Sequence, residues 1–389
     1  MAKVFKYSYR DTVKTNLWIS QVNWMDPSTN TYLGSPSIVK LSNGHILASF
    51  DRFGLFVNSD DTFIYISKNN GKSWLPLTEL KGMFWANLFL HNDAIYLLGT
   101  SSGVKDRSIV IMKSTDNGKN WTKPVDSKTG ILFADGVNGR KPLYHCAPMP
   151  VVNHNGRLFR AFENLTEFLP GMRGYKSFVI SIPEHADLLN AANWTKSTEV
   201  AYNTSKDPEG SKNTTGWIEG NMVVGPDNCL WNIIRVNSTP YFDRAAMIKV
   251  ENDGKKASFN PDDFIKLPGG ISKFVIRKDP EIPVYWMISN NNTHPEYPSQ
   301  RSVLSLFYSR DLRTWHHAKT LMQDDQNLPV SESLKKTGFQ YPDWMFDGDD
   351  IIYLSRTAYR GARNYHDSNR ITFGRIVSFR ELLPKNKNL

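Results

Sequence analysis

The stretch Ser67-Lys-Asn-Asn-Gly-Lys-Ser-Trp74 decides the fold, because its pattern returns 47 residues later as Ser114-Thr-Asp-Asn-Gly-Lys-Asn-Trp121. A degenerate third copy, Ser309-Arg-Asp-Leu-Arg-Thr-Trp315, is one residue shorter and lacks the glycine. In each copy the Asn or Asp can accept backbone N–H bonds in a tight turn, and the glycine supplies a positive φ. The Trp is then predicted to fold under the hairpin as a packing anchor. Each copy also follows a short apolar run that is typical of a strand.

These turns are Asp-boxes, and their recurrence in a chain almost without helical periodicity predicts a β-propeller. Six inner hairpins can be counted, at residues 35–50, 87–98, 147–162, 220–236, 273–288 and 343–356. We therefore predict an all-β protein, a propeller of six or seven four-stranded blades. Residues 1–32, with strand-like runs at 5–10 and 17–25, are left to close the ring against 371–379 or to complete a seventh blade. No linker interrupts the chain, so 1–389 is predicted to be a single domain.

Composition limits the classes of partner. The 389 residues carry a formal net charge of +9, contain only 2 Cys, and include no apolar run long enough to span a membrane. Cys146 and Cys229 are far apart, which excludes a disulfide scaffold and a Cys-based zinc site. The basic residues are scattered, so we predict no nucleic-acid partner and instead an acidic oligo- or polysaccharide. The protein is expected to be a monomer.

The propeller architecture brings candidate site residues together. Residues that precede the first strand of a blade, and residues that end its second strand, meet on one face of the channel. The predicted set is Ser35, Asp51, Arg52, His145, Arg160, Glu163, Glu219, Arg235, Asn290, Tyr341, Asp343 and Arg356. Arginines there can clamp a carboxylate, Glu219 can serve as a general acid or base, and His145 can titrate near neutral pH.

Each of these residues also has a structural interpretation. Arg160 and Glu163 can equally form an interblade ion pair, and Arg52 can equally be a solvated charge at the rim. Tyr341 fits packing better than catalysis. His45 follows a hairpin turn, so it lies on the opposite face and is expected to be solvent-facing.

The Asp-boxes resemble the sialidase superfamily of propellers, and the resemblance covers nearly the whole chain. Sialidases carry an Arg-Ile-Pro motif on the first inner strand, as part of an arginine triad. Here that strand reads Ser35-Pro-Ser-Ile38, without arginine. The departure argues against a sialidase with its Tyr/Glu nucleophile pair.

Residues 144–163, 217–221 and 230–236 resemble a second group, bacterial propeller enzymes that act on rhamnose–glucuronic acid linkages. The group includes ulvan-type polysaccharide lyases and an α-L-rhamnosidase family active on arabinogalactan side chains. The resemblance implies seven blades and a secreted or periplasmic protein whose leader is absent from the given chain. For a lyase it implies that His145 and Arg235 act at a uronate, although Glu219 falls near the position of the lyase tyrosine.

For the rhamnosidase branch, the resemblance implies a single catalytic His on the opposite face. His45 is the candidate, although Gln21 can occupy that position instead, in which case activity would be weak or absent.

The leading hypothesis from the sequence is an enzyme that hydrolyses terminal α-L-rhamnosyl–glucuronic acid linkages. Its alternatives are a lyase that acts by β-elimination and a non-catalytic glycan-binding propeller. The residues assigned to chemistry are His45, His145 and Glu219, and those assigned to substrate binding are Gln21, Arg52, Arg160, Arg235, Tyr341 and Arg356. Arg52, Arg235 and Arg356 are predicted to converge on one channel mouth. No cofactor and no catalytic metal are expected, and a structural calcium ion held by carboxylates such as Asp343 is compatible with the sequence.

Overall fold

The computed structural model describes residues 13, 15–136, 140–212 and 215–384. These residues form six antiparallel sheets, which are the blades of a β-propeller. The predicted all-β propeller is confirmed, and it has the six blades counted from the hairpins. The seven blades implied by the second resemblance are wrong.

Strand β1 (Ser20–Trp24) belongs to the last blade, and the first three blades follow it along the chain. The first blade contains β2 (Thr31–Lys40), β3 (Ile46–Gly54), β4 (Asp61–Ser67) and β5 (Leu75–Lys81). The second contains β6 (Phe84–His91), β7 (Ala94–Thr100), β8 (Ile109–Ser114) and β9 (Ile131–Phe133). The third contains β10 (Tyr144–His145), β11 (Val152–His154), β12 (Arg157–Leu165), β13 (Tyr175–Pro183), β14 (Thr195–Lys196) and β15 (Val200–Ala201). In this blade the innermost and outermost strands are each split in two.

The remaining three blades have the same strand order. The fourth contains β16 (Gly216–Val224), β17 (Leu230–Asn237), β18 (Arg244–Glu251), β19 (Lys256–Ser258) and β20 (Phe264–Lys266). The fifth contains β21 (Val275–Lys278), β22 (Tyr285–Asn290), β23 (Val303–Ser309) and β24 (His316–Gln323). The sixth contains β25 (Gly338–Asp347), β26 (Asp350–Ala358), β27 (Arg370–Ile376) and β1.

Helices are short connecting pieces. One α-helix, α1 (Val330–Lys336), precedes the sixth blade. The 3₁₀ turns in the described residues are Pro27–Thr29, Ala191–Asn193, Thr204–Lys206, Asn252–Gly254, Pro261–Asp263 and Phe379–Leu382. Within the same part of the chain, no helix is long and apolar enough to span a membrane.

The N-terminal segment closes the ring. Strand β1 pairs antiparallel with β27, with Ser20 opposite Phe373 and Trp24 opposite Arg370. The sequence predicted this pairing as one of two possibilities, and the seventh blade is the one that does not form. The predicted strand at 5–10 lies outside the described residues, and the single-domain assignment of 1–389 stays a prediction.

The Asp-box turns have the predicted hydrogen bonds. Asn69 Oδ1 accepts from the Ser73 amide at 2.9 Å, and Trp74 is buried with its indole N–H donating to Ser20 Oγ at 2.9 Å. Gly71 has φ +82°, and a Cβ there would lie 2.1 Å from the Phe373 ring. The glycine is therefore required both by its backbone and by the close approach of the last blade.

The third copy manages without glycine. Leu312 adopts φ +64° and is fully buried, and its amide donates to Ser309 Oγ at 2.9 Å. Trp315 donates to the Leu312 carbonyl at 3.1 Å, as Trp121 does to the Gly118 carbonyl at 2.9 Å. Here the apolar contacts of a buried leucine offset a strained backbone.

The hydrophobic core is divided among the interfaces between neighbouring blades. Fully buried Trp286 of the fifth blade, for example, packs in one cluster with Trp344 of the sixth. Because each blade is held by its two neighbours, the inner ends of the strands are fixed around a common channel.

Candidate active site

A β-bulge in the innermost strand of four blades turns one side chain toward the channel. The pairing register shifts at these bulges, and the bulged residues Ser35, Trp85, Glu219 and Tyr341 have φ of 42°, 50°, 64° and 51°. A left-handed conformation of a non-glycine residue costs on the order of 1–3 kcal/mol and is concentrated at functional sites. All four residues line the same cavity, which makes this cavity the candidate site.

The cavity has a volume of about 430 Å³ and receives residues from all six blades. Its lining residues, blade by blade, are Gly34, Ser35, Asp51, Phe53 and Ser59; Phe84, Trp85 and Gly103; His145 and Met172; Ile218, Glu219 and Arg235; Arg301; and Gln340, Tyr341, Arg356, Tyr365 and His366. The size suits one sugar ring with its substituents.

A tyrosine–glutamate pair lies in this cavity. The Tyr341 hydroxyl donates to Glu219 Oε1 at 2.6 Å, and Arg235 Nη1 lies 2.9 Å from Oε2 of the same carboxylate. Burial, followed by the charge of Glu219, raises the pKa of Tyr341 to about 12. The phenol therefore keeps its proton at rest, and Glu219 is in position to accept that proton when the oxygen reacts.

Asp51 is a protonatable carboxyl in the same cavity. It is 2% exposed, and its Oδ2 accepts from the Trp85 amide at 3.0 Å. Burial raises the pKa of Asp51 to about 7, against the opposing effect of a hydrogen bond from Ser35. A carboxyl that is still half protonated at neutral pH can act as a general acid and, after losing its proton, as a general base.

Three arginines make the other side of the cavity cationic. Arg235, Arg301 and Arg356 are 6%, 9% and 4% exposed. Arg235 pairs with Glu219, whereas no described carboxylate lies within 4.0 Å of the other two guanidinium groups. Burial and the neighbouring Arg235 lower the pKa of Arg301 to about 10. The carboxylates of Asp51, Asp367 and Glu219 act on Arg356 only from beyond 4.0 Å. Buried cations without a counter-ion in contact are costly, so this side of the cavity is suited to receive an anion.

Arg356 is held over aromatic rings. Its guanidinium carbon lies 4.6 Å from the centre of the Phe53 ring and 4.9 Å from that of Tyr341. Its Nε donates to Ser368 Oγ at 3.2 Å. Its Nη2 donates to the His366 carbonyl. The stacking and these hydrogen bonds fix the guanidinium against the tyrosine ring and leave Nη1 to bind an anion.

His145, which lines the cavity, forms a second pair with Glu163 of the same blade. His145 Nδ1 lies 2.9 Å from Oε2 of Glu163, a fully buried carboxylate. The other oxygen of Glu163 accepts at 3.1 Å from the amide of Gly220, the residue that follows Glu219 in the chain. Glu163 therefore joins the histidine of the third blade to the bulge of the fourth.

The structure brings together most of the residues predicted from the sequence. His145, Glu219, Arg235, Tyr341 and Arg356 all line the cavity. Tyr341, for which packing was the favoured interpretation, is in hydrogen-bond contact with Glu219.

Arg52 does not lie in the cavity, contrary to the prediction that it joins Arg235 and Arg356 there. It follows Asp51 on β3, and because successive strand residues point to opposite faces, only one of the two can face the cavity. Arg52 instead pairs with Asp61 and lies 4.3 Å over the Phe63 ring. Its predicted place in the arginine cluster is taken by Arg301.

Arg160 is a structural residue. It is 1% exposed and is not among the residues that line the cavity. Its Nε donates to Asn87 Oδ1 of the second blade at 2.9 Å, and its Nη2 donates to the Ala147 carbonyl. Its assignment to substrate binding is wrong because these hydrogen bonds direct the guanidinium group to the protein itself.

His45 and Gln21 also lie away from the cavity. His45 follows the turn from β2 to β3, at the channel end opposite the bulges, and its amide donates to Asn43 Oδ1 at 3.0 Å. Gln21 is on β1, the outermost strand of the sixth blade, opposite Thr372. Neither residue can reach a sugar bound beside Tyr341.

Asp343, suggested by the sequence as a calcium ligand, is surrounded by hydrogen-bond donors. It accepts from Ser37 Oγ at 2.7 Å and from the Ile38 amide at 3.0 Å, and Arg277 lies 3.3 Å away. Among the described residues, no group of three or more His, Cys, Asp or Glu is placed to hold a metal ion. The donors around Asp343 show it bracing the first, fifth and sixth blades.

Sequence reasoning missed Arg301 and the role of Trp85. Arg301 comes from the connection between β22 and β23, outside the inner hairpins that were searched. The connections between the second and third strands of each blade are therefore a further source of residues that face the channel. Trp85 precedes the predicted hairpin at 87–98, and only the bulge turns it into the cavity.

The sequence matches no protein-family model and no curated protein sequence. Its structure is similar to that of an α-L-arabinanase from Penicillium chrysogenum complexed with arabinobiose, with 14% identity, a TM-score of 0.59, and coverage of 93% of this chain and 98% of that chain. An α-L-arabinofuranosidase from Fusarium graminearum in complex with an iminosugar inhibitor has 12% identity, a TM-score of 0.59 and the same coverage. A Trypanosoma rangeli sialidase in complex with sialic acid has 14% identity and a TM-score of 0.57, over 96% of this chain and 60% of that chain. At these identities the likeness shows the fold, and the chain is a sialidase-like six-bladed β-propeller.

Proposed function

We propose that this protein is a retaining glycoside hydrolase that removes a terminal sugar carrying a carboxylate. The observation that carries the proposal is the Tyr341–Glu219 hydrogen bond of 2.6 Å inside a cavity that also contains the protonatable Asp51. A nucleophile with its own base, and a separate acid, are the parts that a retaining mechanism requires.

The arginines indicate the charge of the sugar. Arg301 and Arg356 are buried without a described acidic partner, and Arg356 lies against the Tyr341 ring. A carboxylate bound by these groups would lie beside the reacting oxygen of Tyr341. It therefore belongs to the sugar under attack and not to the leaving group.

The proposed reaction has two steps. In the first, Asp51 protonates the glycosidic oxygen as its bond to the anomeric carbon breaks. The Tyr341 oxygen then forms a bond to that carbon while its proton passes to Glu219. In the second, ionised Asp51 takes a proton from water, the water oxygen replaces the tyrosine oxygen, and Glu219 returns the proton to Tyr341. Two displacements retain the anomeric configuration.

A phenol suits an acidic sugar better than a carboxylate nucleophile does. A carboxylate held next to the sugar's own carboxylate would repel it in a cavity of low dielectric constant. The neutral Tyr341 avoids that repulsion, and Glu219 supplies the negative charge only as the phenol loses its proton.

The functions inferred from the sequence motifs are testable alternatives. In a rhamnosyl–glucuronic acid linkage the carboxylate belongs to the leaving group, so Arg356, which lies against Tyr341, would not be expected to bind it. A lyase would use His145 and Arg235 at a uronate, and the carboxylate of Glu219, 2.9 Å from Arg235, opposes the carbanion that elimination requires. The sialidase similar in fold is bound to sialic acid, an acidic sugar, and supports the proposal by analogy.

The experiment is a substrate panel with four arms. It uses the 4-methylumbelliferyl glycosides of N-acetylneuraminic acid, glucuronic acid and α-L-arabinofuranose, and a rhamnosyl–glucuronate oligosaccharide. We expect release from an acidic glycoside with retained configuration, and a loss of about 1000-fold or more in Tyr341→Phe. Release of rhamnose that persists in Tyr341→Phe would overturn the proposal in favour of the sequence-based hydrolase. An unsaturated uronate product would overturn it in favour of a lyase, and saturable binding without any product would favour a binding propeller.

A further inference from the structure

One half of the cavity is unused by the proposed reaction. The arginines, Tyr341 and Glu219 come from the fourth, fifth and sixth blades, whereas the second and third blades contribute mainly apolar surface. That surface is made by Phe84, Trp85 and Gly103, together with Met172, whose Sδ lies 4.0 Å from Arg235 Nη2, and His145 is the polar side chain among them. A sugar whose carboxylate lies on Arg301 and Arg356 would have its other substituents within reach of this surface.

His145 is held there by two aromatic rings. Its ring centre lies 4.5 Å from that of Trp85 and 5.4 Å from that of Tyr175. These two ring contacts and the contact of Nδ1 with Glu163 hold the imidazole in one orientation at the cavity wall. The histidine is therefore preorganised toward whatever occupies this half.

Glu163 determines which ring nitrogen carries the proton. One carboxylate oxygen accepts from the Gly220 amide at 3.1 Å, and the other lies 2.9 Å from His145 Nδ1. A carboxylate accepts hydrogen bonds, so Nδ1 carries the hydrogen and Nε2 of the neutral ring carries a lone pair. No hydrogen bond joins Nε2 to another residue in the described part of the chain.

We propose that His145 Nε2 accepts a hydrogen bond from a hydroxyl or amide N–H of the bound sugar, and that Glu163 is a positioning residue that fixes this polarity. The inference rests on the proposed function, because it takes the occupant of the cavity to be a sugar. It adds a requirement to the substrate class: an acidic sugar that carries a hydrogen-bond donor within reach of His145 on the wall formed by the second and third blades. An acidic sugar without that donor leaves Nε2 desolvated and unpaired.

The expected penalty for a missing donor follows from hydrogen-bond energetics. A buried acceptor left without its partner lowers affinity by about 10- to 100-fold. Removing a different hydroxyl of the sugar, one that faces solvent, is expected to change affinity by less than about threefold.

The variant Glu163→Gln reverses the polarity without changing the size of the side chain. An amide has one oxygen, and if that oxygen keeps the Gly220 hydrogen bond, the NH₂ group faces Nδ1 as a donor. The proton of His145 then moves to Nε2, which turns from acceptor into donor. The matched variant His145→Phe keeps a flat ring and removes both nitrogens.

The experiment combines a spectroscopic and a binding measurement on the full chain. Nitrogen-15 NMR of the histidine rings reports the tautomer, and calorimetry measures binding of N-acetylneuraminic acid and its monodeoxy analogues. We expect the Nδ1–H tautomer in the wild type and the Nε2–H tautomer in Glu163→Gln. We also expect one analogue to bind about 10- to 100-fold more weakly to the wild type, and no such discrimination in His145→Phe.

Two results would overturn the inference. The first is an Nε2–H tautomer in the wild type. The second is a wild type that binds all the analogues equally well, or discrimination among them that persists in His145→Phe. Both the tautomer and the wild-type analogue series are measured without any variant, so a misfolded Glu163→Gln does not remove the test. The proposed function fails separately, if Tyr341→Phe retains hydrolysis, because neither measurement here depends on turnover.

Discussion

Replacing Asp51 by asparagine should make the protein more stable at alkaline pH while strongly reducing its activity. Burial raises the pKa of Asp51 to about 7 from an ordinary value of 3.8. Between these two values the unfolded chain releases a proton that the folded protein keeps, so stability falls as pH rises. The full difference corresponds to about 4 kcal/mol once Asp51 is ionised in both states. The asparagine of the variant would carry no charge in either state, and this loss of stability would disappear.

The assay is urea unfolding of the wild type and of Asp51→Asn at about pH 5 and about pH 8. Over that interval the wild type should lose about 3 kcal/mol more than the variant does. Asp116→Asn is the matched control, because hydrogen bonds from Asn120 lower the pKa of Asp116 to about 2. Both pKa values of Asp116 lie below the interval, so that variant should follow the wild type.

Activity should change in the opposite direction. Loss of the general acid is expected to reduce kcat/KM by about 100- to 10,000-fold. In the wild type kcat/KM should decline as pH rises through about 7, where Asp51 loses its proton. Parallel pH profiles of stability for the wild type and Asp51→Asn would refute this account of the cavity.

Three further predictions concern Arg356, the glycine of the first Asp-box and His45. Arg356→Met should raise KM for an acidic glycoside by about tenfold or more. The thermal midpoint of unfolding should stay unchanged or rise, because the substitution removes a buried cation without a described acidic partner. A lower midpoint with a normal KM would contradict this prediction. Gly71→Ala should lower stability by about 2–4 kcal/mol, since the new methyl group would strike Phe373 at a positive φ. Gly44→Ala, with the same φ of +82° but open space around it, should cost only about 1 kcal/mol in the same unfolding assay. His45→Ala should keep full activity. A large loss of activity would indicate instead that the active site lies on the opposite face of the propeller, beside His45.

The fold could be predicted because its signals are local. The Asp-box needs only neighbouring residues to form its turn, and Gly71 and Trp74 stand at fixed distances within it. Counting hairpins also gave the correct number of blades. The resemblance that implied seven blades concerned residues near the channel, and such residues carry little information on how many blades surround it.

The site was predicted only in part because β-bulges are not visible in the sequence. Ser35, Trp85, Glu219 and Tyr341 are not glycines, so nothing in the sequence marks their positive φ. A bulge changes which side chains face the channel, just as a slip of one residue would. This is why the predicted set contains Ser35, Glu219 and Tyr341 but omits Trp85, which only its bulge turns into the cavity.

The pairing of charges across the ring also escaped prediction. Glu219 and Tyr341 are 122 residues apart, and Arg301 comes from a connection that carries no repeat. Only the closed ring shows that Arg301 lies with Arg235 in one cavity and that Arg52 has a partner elsewhere in Asp61.

The most direct test of the central claim is to trap the covalent intermediate on Tyr341. The protein would be incubated with a 2,3-difluoro derivative of N-acetylneuraminic acid or a 2-fluoro glucuronyl fluoride, chosen by the substrate panel, and then mapped by peptide mass spectrometry. The account predicts one sugar attached to the peptide containing Tyr341, with no labelling of Tyr341→Phe. Attachment to Glu219 or Asp51, or turnover of the substrate without any adduct, would contradict it.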